Sequence, residues 1–248
     1  MLLTLIGIGT GNPDHLTRQA MGAMRAADLV IVPRKGAGKA DLADLRRAIL
    51  HDIAPDTAVA EFDLPIRDET IQDYTARVLA WHDAIAAIWA QTIAGHAQAG
   101  HMAQSVALLV WGDPALYDST LRIAARLIPA PEIRVIPAVT SITAMTAAHA
   151  IALNDIGEPF TVTTGRQLRD NGFPKDVNTA VVMLDGECSF TALPPDGITI
   201  FWTAYAGMDN EISLSGPLAE ISPQIIAARA QARAQHGWIM DIYLLRRA

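Results

Sequence analysis

Residues 2–17 read LLTLIGIGTGNPDHLT: an apolar strand, Leu2 to Ile8, runs straight into Gly7, Gly9 and Gly11 and then into a helix start. A strand ending in a glycine loop is where α/β proteins hold small polar ligands. Glycines lack the Cβ that would keep a ligand off the main chain and leave N–H groups to face it. A dinucleotide fingerprint GxGxxG would need glycine at position 12, which is Asn12. The fingerprint also expects an acid at the end of the second strand, whereas ADLVIVPRKG ends in Pro33, Arg34 and Lys35. A phosphate-binding Rossmann reading is weakened, although an NADP-dependent oxidoreductase could use those cations and stays open as an alternative.

The 248 residues are 51% hydrophobic, enough to enclose a core in one large or two smaller domains. Alanine-rich segments alternate with short apolar runs, which predicts an α/β architecture. The single cysteine, Cys188, excludes an internal disulfide framework and offers no metal cluster, so no metal is expected. The start MLLTLIGIG lacks a basic n-region and reads as a first strand rather than a signal peptide, and no apolar run approaches a membrane span. A net charge of −7 argues against a general nucleic-acid binder, which needs a basic footprint. A cytoplasmic enzyme without nucleic-acid or membrane partners is the expectation.

Periodicity places helices at about 16–27 and 40–51, strands at 29–32 and 58–62, and a long amphipathic helix over 70–98 with Ile71, Tyr74, Val78, Trp81, Ile85, Ile88 and Thr92 on one face. VALLVWGDP and EIRVIPAVTS read as buried strands ending in turns. After Pro137 the pattern changes to FTVTTGR, AVVMLDGE, ITIFWTAYA and WIMDIYLLR with a helix over 213–235, which predicts a second, mixed sheet with largely antiparallel neighbours. The expected division is residues 1–137, a mostly parallel α/β lobe, and 138–248, a mixed α/β lobe. Two lobes imply a cleft, the usual place for a small ligand.

Three strand ends of the first lobe point to that cleft: the glycine loop, WGDPALY at 111–117 and IPAVTS at 136–141. In GDP the glycine permits close approach, Asp113 can accept hydrogen bonds from a ligand, and Pro114 stiffens the loop; an ordinary turn with an Asx cap is the competing reading. Arg34 and Lys35 with their neighbours, and Arg166, Arg169 and Lys175 in the loop-like stretch GRQLRDNGFPK, are solvated charges or the mouth for a polycarboxylate.

The order of GIGTGNPDHLT, GDPALY and PAVTS followed by a small-residue helix resembles the tetrapyrrole methylase family of S-adenosylmethionine enzymes, over essentially the whole chain. The resemblance implies a two-lobed fold with the cofactor cleft between the lobes. It implies S-adenosyl-L-methionine held mainly by backbone groups of Thr10, Trp111, Gly112 and Asp113, with Leu116 nearby, and of Thr140 and Ser141. Met183, Tyr205 and Ala206 would enclose the adenine and methionine portions. Without the family, Met183 is an ordinary core methionine and Thr140–Ser141 a helix N-cap.

VPRKGAGKADLADLRR, WHDAIAAIW and TTGRQLRD point within the family to a member that methylates precorrin-5 at C-1 and releases its acetyl group as acetic acid. Candidates for helping a water attack that acetyl group are Asp14, His15, Asp113 and Tyr117, and Arg34, Lys35, Arg166 and Arg169 would pair with substrate carboxylates. The family's usual state is a homodimer. Two features depart from its commoner pattern: Pro137-Ala138 stands where many relatives have Pro-Gly, and Pro33 stands where relatives that methylate uroporphyrinogen carry an acid. Another member, of precorrin-4 methyltransferase or diphthine synthase type, and a non-catalytic binding module remain alternatives.

Overall fold

The computed structural model describes residues 1–34 and 40–247, without the side chains of residues 40–43. The chain divides into two compact units, Met1–Val139 and Thr140–Ala248, each with its own sheet and core.

The first unit has strands β1 (Leu2–Gly7), β2 (Leu29–Arg34), β3 (Ala58–Asp63), β4 (Ser105–Val110) and β5 (Glu132–Ile136), with helices α1 (Arg18–Arg25), α2 (Ala40–Ile53), α3 (Tyr74–Gln98) and α4 (Thr120–Ala124). The sheet order is β3-β2-β4-β1-β5 and every neighbour is parallel. Continuous apolar runs make such strands, because helices cover both faces. Leu3, Leu5, Leu29, Ile31, Val106 and Leu108 meet Ile85 and Trp89 of α3 on one face. Ile6, Val30, Val32, Ala107 and Leu109 meet Ala20 and Met24 of α1 and Ile49 and Leu50 of α2 on the other.

β2 leaves β4 after the pair Ile31↔Leu108 but stays on β3 through Arg34↔Asp63. Pro33 lies beyond that parting, where its missing N–H costs no bond to β4. Helix α3 starts four residues later than its pattern predicts, because the Asp73 carboxylate caps it by accepting the Ala76 N–H at 2.7 Å. Its buried line is His82, Ile85, Ala86 and Trp89, whereas Tyr74 is exposed.

The second unit has β6 (Phe160–Thr164), β7 (Thr179–Met183), β8 (Ile198–Ala204), β9 (Ile212–Pro217) and β10 (Asp241–Arg247), with helices α5 (Ser141–Ala148), α6 (Gly165–Asn171) and α7 (Leu218–His236). The order is β6-β7-β10-β8-β9; β6 and β7 are parallel and the other pairs antiparallel. Leu168, Ile225 and Phe190 pack on one face against Val182, Ile200, Trp202 and Tyr243, and Met145 of α5 packs on the other against Val181, Ile242 and Leu244.

Two sequence expectations are corrected here. The helix expected from 213 begins only at Leu218, since 212–217 pair with β8, and Gly216-Pro217 is a poor helix interior. The stretch expected to be loop-like is helical over 165–171: Thr164 caps it by accepting the Gln167 N–H at 3.3 Å, and Gly172 ends it at φ +74°.

Candidate active site

β1 lies between β4 and β5, so the loops leaving the C-terminal ends of these three strands are neighbours. The loops after β1 and β4 are tied together by main-chain bonds that single loop sequences do not reveal. Gly9 and Gly112 bond reciprocally, Gly9 N–H to the Gly112 carbonyl at 3.1 Å and Gly112 N–H to the Gly9 carbonyl at 2.8 Å. Both take positive φ, +71° each. The amides expected to face a ligand are, at these two glycines, spent on each other.

Gly7 has a different purpose from the one its loop suggests. A Cβ there would lie 2.7 Å from the Ala138 Cβ and 3.0 Å from the Gly112 oxygen and Pro114 Cδ, so Gly7 makes room for the neighbouring loops. Ala138 itself does not take a positive φ, so the Pro-Ala turn accommodates its Cβ. At Gly112 nothing lies within 4 Å of where a Cβ would be.

Asp113 braces its own loop and ties it to the loop after β5. One carboxylate oxygen accepts the Ala115 N–H at 2.8 Å in an Asx turn, and the other accepts the Ala138 N–H at 2.9 Å. Trp111, Gly112 and Leu116 are half-buried around it, and Tyr117 is exposed at φ +51°. In the glycine loop Thr10 is buried, and its hydroxyl has no hydrogen-bond partner. Pro13–His15 form one 3-10 turn, with the Asn12 side chain accepting the Asp14 N–H at 2.8 Å. Asp14 is exposed, while His15 is half-buried with an unpartnered Nδ1.

In the second unit Thr140 is the N-cap of α5, its hydroxyl accepting the Thr143 N–H at 3.2 Å, and Ser141 is the first helical residue. Val182 and Trp202 both pair with Tyr243, so Met183 and Tyr205 lie toward the same end of the sheet on strands separated by β10, about 10 Å between strand axes. Met183 is half-buried and also packs in the core, as the plain reading expected. The Tyr205 ring is turned into the unit's interior, where its hydroxyl donates to the Trp238 carbonyl at 2.6 Å and the ring meets Trp238 and His236 edge-on. The Tyr205 main chain is also engaged, its N–H donating to the Met240 carbonyl at 2.8 Å and its carbonyl accepting the Met208 N–H at 2.9 Å, and Ala206 is buried.

Sequence reasoning missed Asp185, which holds the loop after Met183. It accepts from Tyr243 Oη (2.6 Å), the Ser189 N–H (2.6 Å) and hydroxyl (2.8 Å) and the Glu187 N–H (3.0 Å). Burial pushes this carboxyl up, but those bonds outweigh it and hold it below the usual carboxylate range. Gly165 is required beside it, since a Cβ there would overlap the Asp185 side chain. Arg46 was not singled out as buried either; its Nε donates to the Leu109 carbonyl at 2.9 Å, and burial, opposed by Asp118, lowers its pKa to about 10. The signal for Arg46 was its place one turn before Ile49 and Leu50 on the buried face of α2.

The cations expected to bind substrate do not stand free as a group. Arg34 bonds Asp63, its β3 partner, at 2.9 Å, and Arg169 bonds Asp170 and Glu187. Arg166 lies in the first turn of α6. Lys35 lies outside the described residues.

A parallel unit with linked glycine-bearing strand ends, followed by a mixed five-stranded unit, defines an α/β protein of the two-sheet kind. The family model described as Tetrapyrrole (Corrin/Porphyrin) Methylases matches residues 2–222, and the chain belongs to that family. It is 43% identical, over 99% of this chain and 95% of the relative, to a precorrin-6A synthase [deacetylating] of Sinorhizobium sp. It is similar in structure to a cobalamin synthesis related protein, CobF, from Corynebacterium diphtheriae, with TM-score 0.84 and 36% identity, covering 100% of this chain and 99% of that one. It shares the fold of a uroporphyrin-III C-methyl transferase from Thermus thermophilus complexed with S-adenosyl homocysteine, with TM-score 0.59 and 18% identity, covering 99% and 92%.

Proposed function

We propose that this chain is an S-adenosyl-L-methionine-dependent C-methyltransferase that methylates precorrin-5 at C-1 and releases its acetyl group as acetic acid, giving precorrin-6A in cobalamin biosynthesis. The observation that carries the reading is the 43% identity across nearly the whole chain to a precorrin-6A synthase. We further read the enzyme as a cytoplasmic homodimer whose partner is the tetrapyrrole, with neither nucleic acid nor membrane involved. Among the described residues no helix is long and apolar enough to cross a membrane.

The strand ends fit such a cofactor. Gly112 leaves open space beside its main chain, and the buried Thr10 hydroxyl lacks a partner, a state that costs about 1–3 kcal/mol unless a ligand satisfies it. In this reading the cofactor-binding residues are Thr10, Trp111, Gly112, Asp113, Leu116, Thr140, Ser141, Met183, Tyr205 and Ala206. The bound sulfonium supplies a methyl group that is already electrophilic. The residues around it then have to align the macrocycle carbon with the C–S bond and exclude water, which contributes on the order of 7–11 kcal/mol.

When the ring carbon's electron pair takes the methyl group, the C–S pair stays on sulfur and S-adenosyl-L-homocysteine leaves. Water then adds to the acetyl carbonyl and the carbon–carbon bond to the ring breaks. Its pair returns to the macrocycle, and acetic acid and a proton depart. Asp113 has both oxygens engaged with Ala115 and Ala138, so we read it as holding the loops. We propose Asp14, His15 and Tyr117 as the candidates for activating the water.

The test is calorimetric titration of S-adenosylmethionine and S-adenosylhomocysteine with NADPH as control, followed by turnover of precorrin-5 with acetate measured alongside methylation. Binding of the sulfur ligands alone with equimolar acetate release is the expected result. NADPH binding alone would restore the oxidoreductase, and methylation without acetate would assign the chain to another member of its family.

A further inference from the structure

The C-terminal end of α5 is joined to the turn after β8 by a run of polar groups whose hydrogens can run in one direction only. His149, the C-cap of α5, places Nε2 3.2 Å from the Trp202 carbonyl and 3.0 Å from the Thr203 hydroxyl. A carbonyl only accepts, so this geometry puts the proton on Nε2. Thr203, fully buried in β8, lies 3.1 Å from the Ser213 hydroxyl on β9, and Ser213 reaches a Glu211 carboxylate oxygen at a longer 3.4 Å. The carboxylate only accepts as well. The order is therefore His149 Nε2–H, shared between the Trp202 carbonyl and the Thr203 hydroxyl, then Thr203 to Ser213 and Ser213 to Glu211.

The other Glu211 oxygen accepts the Gly207 N–H at 2.6 Å. That bond closes the turn 205–211, which is also held by Met208 N–H to the Tyr205 carbonyl (2.9 Å) and Glu211 N–H to the Met208 carbonyl (3.0 Å). Phe201 packs edge-on against the His149 ring and fixes its plane. Helix α5, which starts at Thr140 and Ser141, and the turn that starts at Tyr205 and Ala206 are thus connected within one unit by four side chains.

We infer that His149, Thr203, Ser213 and Glu211 are positioning residues that set the main chain of Tyr205–Gly207, relative to the start of α5, in the conformation that receives the adenosyl part of the cofactor. The inference rests on the cofactor reading of Tyr205 and Ala206 and goes beyond it by naming what shapes that turn. A chain with acceptors at both ends has no equivalent reversed state, so it holds one conformation of the turn before ligand arrives. Such preorganisation removes part of the ordering cost of binding.

Ser213→Ala and Glu211→Ala interrupt the run at partly exposed positions where folding should survive, and Glu211→Gln keeps an acceptor for the Gly207 N–H. The affinity for S-adenosylhomocysteine is expected to fall about tenfold in Ser213→Ala and Glu211→Ala and to recover in large part in Glu211→Gln. Turnover at saturating S-adenosylmethionine should stay within about twofold, whereas the tenfold fall in affinity is the size of effect one hydrogen bond gives. The double variant should bind about as weakly as the poorer single one, because either break releases the same turn.

Hydrogen exchange of the wild type, with and without S-adenosylhomocysteine, tests the underlying reading separately. Ligand protection of the 205–208 amides supports the cofactor reading, and its absence in a protein that binds the ligand overturns that reading and the inference with it. Protection together with wild-type affinity in both alanine variants, whatever their melting temperatures, overturns the inference alone.

Discussion

The Asp113 carboxylate accepts the Ala138 N–H at 2.9 Å across 25 residues of chain, joining the loop after β4 to the loop after β5. Its second oxygen is committed to Ala115, so each oxygen of this one side chain fixes a different segment.

Asp113→Ala leaves two amides without acceptors and is expected to cost about 1.5–3 kcal/mol, the range for hydrogen bonds to a charged group. At this chain length each kcal/mol lowers Tm by about 2–4 °C. Asp113→Asn retains one acceptor oxygen and should fall about midway. Scanning calorimetry of the three proteins checks the order, and equal melting of all three would mean that the carboxylate does not hold these loops.

Gly7 and Ala138 form a pair in which only one member tolerates a Cβ. Gly7→Ala is expected to lose about 1–3 kcal/mol by overpacking. Ala138→Gly in the same chain should restore part of that loss, the remainder reflecting the Gly112 oxygen and Pro114 Cδ at 3.0 Å. A double-mutant cycle in urea measures the coupling, and strict additivity would contradict the contact.

His82 is buried on α3 with neither ring nitrogen bonded. Burial, reinforced by Arg126, Arg122 and Arg67, holds its imidazole below the usual histidine range. The unfolded chain takes up this proton near pH 6.5 while the folded chain resists it, so stability present at pH 7 and above is lost as the pH falls below about 6.5. His149, lowered mainly by burial, acts in the same direction. Tm measured from pH 7.5 to 5.5 should fall more steeply in the wild type than in His82→Leu, which keeps the His149 share.

Arg34 and Arg169 make exposed ion pairs with carboxylates, which a substrate carboxylate can displace at little cost. Arg34→Ala and Arg169→Ala are each expected to raise KM for the tetrapyrrole several-fold, more at low salt, without changing S-adenosylhomocysteine affinity. Unaltered methylation kinetics in both variants would remove these cations from the substrate site.

Much of the architecture is local and therefore legible in the chain. Continuous apolar runs such as 2–8 and 105–110 declare strands covered on both faces, and Thr140 marks a helix start through its own side chain, whereas the Asp73 cap of α3 was not read. The three loops GIGTG, WGDP and PAVTS carry the family resemblance by residue type and order alone. Segments whose state depends on a distant partner were misread: 212–217 become a strand because β8 is there to pair with them, and 165–171 become a helix where Gly165 fits against Asp185.

The amino-acid sequence by itself determined the α/β class, the strand ends that bear the candidate site and the chemical family, since each depends on residue identity at short spacing. Only the tertiary structure decided what those residues are free to do. It spends the Gly9 and Gly112 amides on each other, turns the Tyr205 ring inward, commits both Asp113 oxygens and runs His149 through to Glu211. Hydrogen bonds of this kind join groups tens of residues apart, so their partners are set by how strands and loops meet in space.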